Sequence, residues 1–107
     1  MTESASAGGQ DKFRLDLRGA YLRRTDLSFA NLKGANLSGA DFSNALFKGA
    51  DFKDAILDGT ILKGADLTGA KNLTKAQLQK TIIDQTTKLP EGFLLSEVLV
   101  DQAEHRG

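Results

Sequence analysis

From Leu15 to Gly69 the chain repeats every five residues without a slip. Read in fives it runs LDLRG, AYLRR, TDLSF, ANLKG, ANLSG, ADFSN, ALFKG, ADFKD, AILDG, TILKG and ADLTG. The third position of each unit is always Leu or Phe: Leu17, Leu22, Leu27, Leu32, Leu37, Phe42, Phe47, Phe52, Leu57, Leu62 and Leu67. The first position is Ala or Thr in every unit but the first, where Leu15 stands. A period of five suits no single regular element. On an α-helix, steps of five advance about 140° each, so the Leu/Phe set would smear around the surface. On a continuous strand an odd period would send successive Leu/Phe residues to opposite faces. The chain must therefore turn once per unit. Each unit is a short extended piece, with two inward side chains two residues apart, followed by a corner.

The fifth position supports the corner. It is Gly in seven units and Asn44 or Asp54 in two more. These residues tolerate positive φ, which a type II corner requires. Arg24 and Phe29 break the rule, and they predict a different, irregular turn at those corners. The fold class that follows is an all-β solenoid cored by the Leu/Phe column and the small first-position residues.

The units resemble those of the pentapeptide-repeat family, whose consensus is A(D/N)LXX. The resemblance implies a right-handed quadrilateral β-helix with four units to each coil, and so just under three coils here. It implies that Leu17, Leu37 and Leu57 share a column, as do Leu22, Phe42 and Leu62, then Leu27, Phe47 and Leu67, then Leu32 and Phe52. In so narrow an interior the first position must stay small. A large residue there would overpack, at about 1–3 kcal/mol.

A solenoid exposes unpaired backbone at both ends and needs covering. After Gly69 the register breaks, and Asn72 falls where the next Leu/Phe belongs. Thr74-Lys75-Ala76-Gln77 then reads as a capping box. It predicts a short capping α-helix from Thr74 to about Thr81, with Leu78 as its apolar contact. The family's members often end this way, with a segment like TTKLP closing the stack. At the other end Phe13 is the expected lid. The expected organisation is a disordered tail over 1–11, the β-helix over 12–70, a capping helix and closing segment over 71–90, and an apolar segment with a polar tail over 91–107. The stretch 93–100, FLLSEVLV, is too apolar for a free tail. It matches neither helical nor strand periodicity cleanly. Its expected place is on the solenoid wall, over Ile56 and Ile61.

Composition removes most chemistry. The 107 residues carry fourteen basic and fourteen acidic side chains and no cysteine. There is no thiol catalysis, disulfide or thiolate metal site to build. The N-terminal residues lack the basic and apolar regions of a secretory signal, and no apolar run approaches a membrane span. The expectation is a soluble cytoplasmic protein with no membrane partner. His105 is the one histidine and sits in a polar tail. Gly59 to Gly64 has a phosphate loop's spacing, but Ala65 replaces the essential Lys. Asp51, Asp54 and Asp58 do not match the alternating ligands of a calcium loop. No catalytic, cofactor-binding or metal-binding residue is expected, and the chain reads as a non-enzyme.

What remains is binding. Duplex-DNA mimicry of the gyrase-modulating kind, known in this family, asks for a long acidic rod. Residues 15–69 hold seven acidic and seven basic side chains. Three rungs spaced by roughly 4.8 Å reach only about 14 Å. Arg14, Arg18, Arg23 and Arg24 form a basic edge that Asp11, Asp16 and Asp26 offset, so nucleic acid is not an expected partner. The reading is a small protein–protein interaction module. Its candidate surface lies where the repeat is violated outward: Tyr21, Phe29, Leu46, Ile56 and Ile61. The alternative is self-association through an uncapped N-terminal coil.

Overall fold

The computed structural model describes residues 14–99. The tail over 1–11, the Phe13 lid, Val100 and His105 lie outside the described residues. Parallel bridges join residues twenty apart. Asp16, Asn36 and Ile56 form one column, Tyr21, Asp41 and Ile61 the next, then Asp26, Leu46 and Asp66, then Asn31, Asp51 and Lys71. Consecutive units therefore take consecutive columns, and the fifth unit returns to the first.

The unit ANLSG shows why five residues suffice. Ala35 N–H donates to the Leu32 carbonyl at 3.0 Å, closing the preceding corner. Asn36 N–H reaches down to Leu15 O at 2.8 Å, while Leu37 N–H and Gly39 N–H reach up to Ile56 O and Asp58 O at 2.8 and 2.9 Å. Only the fourth-position amide, Ser38, finds no backbone acceptor in the ladder. The Asn36 side chain accepts it at 3.1 Å. Every N–H of the unit is thereby satisfied, as burial of the backbone demands.

The core is graded along the stack. Leu37, Phe42, Phe47 and Phe52 in the middle layer are fully buried, with the phenylalanine rings in contact at centroid separations of 5.1 and 5.3 Å. Leu32, Leu57, Leu62 and Leu67 are buried too, whereas Leu17, Leu22 and Leu27 are half-buried and Leu15 is exposed. The inward Thr60 needs no polar partner from outside, because its hydroxyl donates to Leu37 O at 2.7 Å.

The corners at Arg24 and Phe29 are not irregular, contrary to the sequence expectation. Both residues take positive φ, 62° and 65°, alongside Asn44 and Asp54 at 61° and 60°. Their amides are held by the next coil, Arg24 N–H to Ser43 O at 2.9 Å and Phe29 N–H to Lys48 O at 2.7 Å. The ladder outweighs the roughly 1–2 kcal/mol that a left-handed non-glycine residue costs. The Phe29 ring then lies over Gly49 in the coil above, where a Cβ would come within 2.6 Å of it.

Past residue 70 the register changes but pairing continues. Lys71 still bridges Asp51, and Asn72 turns the chain with φ 63°. Helix α1, Lys75–Gln79, follows, N-capped by Thr74 through the expected capping box. It is shorter than the predicted 74–81, because Lys80 closes it and already belongs to the ladder, accepting Gly59 N–H at 2.8 Å. Gln77 donates from its side chain to Phe52 O and Ala55 O at 3.0 and 2.9 Å, and Leu78 is buried. Ile82 then bridges Ile61 and Lys88 bridges Asp66, so two columns gain a further rung. The described chain ends in a helical stretch over 95–99. Its Val98 enters the main core cluster, and Ile56 keeps an exposure of 40%. Ile56 is therefore not covered in the way expected of this segment.

Gly39 and Gly49 separate backbone strain from contact. Both have positive φ, but nothing lies within 4 Å of a Cβ added at Gly39. Gly39→Ala is expected to cost about 1 kcal/mol of strain, and Gly49→Ala at least about 0.5 kcal/mol more through the displaced ring. In a Phe29→Ala background the two costs should converge, as read from urea denaturation. An unchanged gap in that background would rule out the ring contact.

Candidate interaction surface

The second position of each unit faces outward and carries the surface chemistry. Where it is Asp or Asn, its carboxylate or amide oxygen accepts the fourth-position amide two residues on. Asp16, Asp26, Asn31, Asn36, Asp41, Asp51 and Asp66 all do so, at 3.0–3.1 Å. This is the physical reason for Asp or Asn at that place: the side chain completes a turn that the ladder leaves open. The same carboxylates meet cations from the coil below. Arg23 donates to Asp41 at 3.0 Å, while Lys33 and Lys48 approach Asp51 and Asp66 at 3.8 and 3.9 Å. These exposed pairs are each worth little, but they explain how equal numbers of charges are spread without a field of one sign.

Four units replace this acceptor with an apolar or aromatic side chain: Tyr21, Leu46, Ile56 and Ile61. None of these side chains can take the turn amide. The structure divides the five candidate residues. Ile61 and Ile82 are bridged neighbours in one column, and Ile56 lies one corner away on the adjoining face. Ile82 is 42% exposed and Ile61 half-buried, so with Ile56 they form one apolar strip near the C-terminal end of the wall. Tyr21 shares their column but is separated by Asp41, and Arg23 sits over its ring at 5.2 Å. Leu46 stands on another face, between Asp26 and Asp66. Phe29 is 79% exposed at its corner, with its ring over Gly49.

Ile82 escaped the sequence reading. Its signal was present: Thr81-Ile82-Ile83 repeats the small–outward–apolar triplet of Thr60-Ile61-Leu62, displaced by one residue from the period. Thr81 and Ile83 are buried as that triplet requires.

Convergent chemistry is not seen among the described residues. No three His, Cys, Asp or Glu side chains there are placed to hold a metal ion. A shallow groove beside α1 is lined by Lys53, Asp54, Asn72, Thr74 and Gln77. Three of its polar residues are engaged within the fold, Asn72 with Asp51 at 2.9 Å and Thr74 with Gln77 at 2.8 Å. No helix among the described residues is long and apolar enough to cross a membrane.

The family model described as pentapeptide repeats (8 copies) matches residues 14–49 and again 45–85. The chain is a pentapeptide-repeat protein. Such proteins fold as right-handed quadrilateral β-helices and are generally structural or interaction proteins. It is similar to a crystal structure of a pentapeptide repeat protein from the cyanobacterium Cyanothece 51142, at 30% identity and TM-score 0.63. That match covers 71% of this chain and 51% of the other, so this chain spans about half the length of that relative. A pentapeptide repeat protein of Nostoc PCC 7120 is 32% identical over 79% of this chain and 82% of its own, with TM-score 0.32. Comparison with curated protein sequences finds no match.

The repeat's carboxylates give this pentapeptide-repeat protein a pH signature. Hydrogen bonds from the Arg18 side chain and amide hold Asp16 down from 3.8 to about 2. The Ser28 amide and hydroxyl lower Asp26, those of Ser43 lower Asp41, and Asn72 with the Lys53 amide lowers Asp51. Burial works against Asp66, yet the Thr68 bonds and Lys48 still bring it below the usual value. A depressed carboxylate stabilises the fold above its unfolded pKa, and that contribution is lost as pH falls through the folded value. The melting temperature should therefore hold from neutral pH to about pH 5, then fall between about pH 4 and 2. Asn at positions 16, 26, 41, 51 and 66 together should keep the turn bonds and flatten that decline. An equally steep decline in the five-fold variant, followed by circular dichroism, would refute the assignment.

Proposed function

We propose that this chain is a non-enzymatic protein-interaction module. In this reading the repeats make just under three coils of a rigid prism, α1 caps the C-terminal end, and the wall strip of Ile56, Ile61 and Ile82 is the docking surface. One observation carries it. At Ile56 and Ile61 the chain forgoes the side-chain acceptor that ties the turn amide in seven other units. Each such bond is worth about 0.5–1.5 kcal/mol, so the apolar residues are not there for the turn. Nor do they fill the core, because Ile56 stays exposed and Ile61 is only half-buried. Three isoleucines on two adjoining, pre-ordered faces, Ile61 beside Ile82 and Ile56 around the corner from them, supply apolar contact area at little conformational cost, which favours association with another protein. The balanced charge speaks against duplex-DNA mimicry, and a gyrase supercoiling assay is the direct check of that alternative.

The test separates docking from folding. Ile56→Asn and Ile61→Asn restore the acceptor the other units use, so each variant should be as stable as the parent or more stable, by up to about 1 kcal/mol. Ile82→Asn should be close to neutral. The triple variant should lose, by tenfold or more, binding to any protein that the parent captures specifically from its native cell. Retained binding by a folded triple variant would sink the wall-strip reading.

A further inference from the structure

We propose that two copies of this chain associate head to head through the first coil, about a two-fold axis. The ends of the stack are unlike. At the C-terminal end Leu57, Leu62 and Leu67 are buried, and Leu78 and Ile83 complete the cluster beyond them. At the N-terminal end Leu17, Leu22 and Leu27 are half-buried and Leu15 is 47% exposed. The first coil thus leaves uncovered the kind of leucine that every later layer buries.

The backbone says what can cover it. In the second coil, Asn36, Asp41, Leu46 and Asp51 use both backbone groups toward the coil below. Their amides donate to Leu15, Ala20, Thr25 and Ala30, and their carbonyls accept from Leu17, Leu22, Leu27 and Leu32. The equivalent residues of the first coil are Asp16, Tyr21, Asp26 and Asn31. Their N–H and C=O point at the open edge, and no described residue pairs with them there. A residue that presents both groups on one side is what the hydrogen-bonded pair of an antiparallel ladder requires. Turning a second copy over reverses the circulation of its coils, so two first coils placed face to face run antiparallel. The edge is therefore complementary to itself.

The other end offers no equivalent bare coil to a head-to-tail stack. The upward amides of Gly59, Leu62 and Leu67 are already taken by the carbonyls of Lys80, Ile82 and Lys88. The association is then closed and stops at two copies. Before Arg14 the repeat's register puts Lys12 and Ala7, not Leu or Phe, at the third positions. Setting the axis through a corner places Asp16 opposite the second copy's Tyr21 or Asn31, which avoids facing like charges.

The inference stands apart from the wall-strip reading and can fail separately. Sedimentation velocity of the full chain should show a concentration-dependent dimer of twice the 11.5 kDa monomer. Leu15→Asp should abolish it, while Ile56→Asn should leave it intact. Hydrogen exchange on the unsubstituted chain gives an independent readout. The amides of Asp16, Tyr21, Asp26 and Asn31 should slow by about tenfold or more as concentration rises through the dimer transition. A monomer up to submillimolar concentration overturns the proposal. So does a dimer in which those four amides do not change, or a Leu15→Asp protein that still dimerises. Protection of these amides that is independent of concentration also overturns it, because the chain would then cover its own edge.

Discussion

The structure depends on a parallel ladder in which each unit bonds to the units twenty residues away on either side. Four of the five amides in a unit are settled by that ladder or by the corner bond, and one is not. The unsettled amide explains the Asp or Asn at the second position, just as the narrow interior explains the Ala at the first. Once these are fixed, Leu or Phe at the third position is the only large side chain the coil must house. The sequence rule is thus a hydrogen-bond rule and a volume rule written in the same five residues.

The ladder also decides which violations are tolerated. Arg24 and Phe29 occupy a left-handed corner that glycine would fill without strain, yet the amide bonds above them keep the turn in its common form. Local propensity lost to cooperative pairing there, and so the irregular turn expected from the side chains did not occur. The same pairing recaptures the chain after α1. Thr81-Ile82-Ile83 and Thr87-Lys88-Leu89 rejoin the wall, with the Thr87 hydroxyl donating to Leu62 O at 2.9 Å as Thr60 does to Leu37. A triplet that fits the ladder is pulled into register even when the spacing has slipped.

This explains what the sequence could and could not disclose. The column of Leu and Phe, the small partners and the glycine corners were legible because each is set by one short-range rule repeated many times. The capping box was legible because Thr74 and Gln77 satisfy each other within one turn. Helix length, the rejoining of Ile82 and Lys88, and the burial of Val98 were not, because each depends on what the rest of the stack leaves open. The candidate surface was half legible. Sequence marks Ile56 and Ile61 as outward apolar residues, but only the ladder shows that Ile82 stands beside Ile61 while Tyr21 and Leu46 stand elsewhere.

The two surfaces singled out here arise from different failures of one rule. On the wall, an outward residue gives up its acceptor, and the backbone is otherwise satisfied, so the lost bond is local and water can replace it. At the N-terminal edge it is the backbone of the first coil that no described residue pairs. The first kind of surface offers apolar contact with no directional demand, and suits a partner of another kind. The second offers donors and acceptors at fixed spacing on a rigid frame, which only a matching strand can meet. In a fold with so few coils the second demand is the larger, since an open edge sits directly over half-buried leucines. A short solenoid is therefore governed less by its repeats, which are nearly alike, than by how each end is closed.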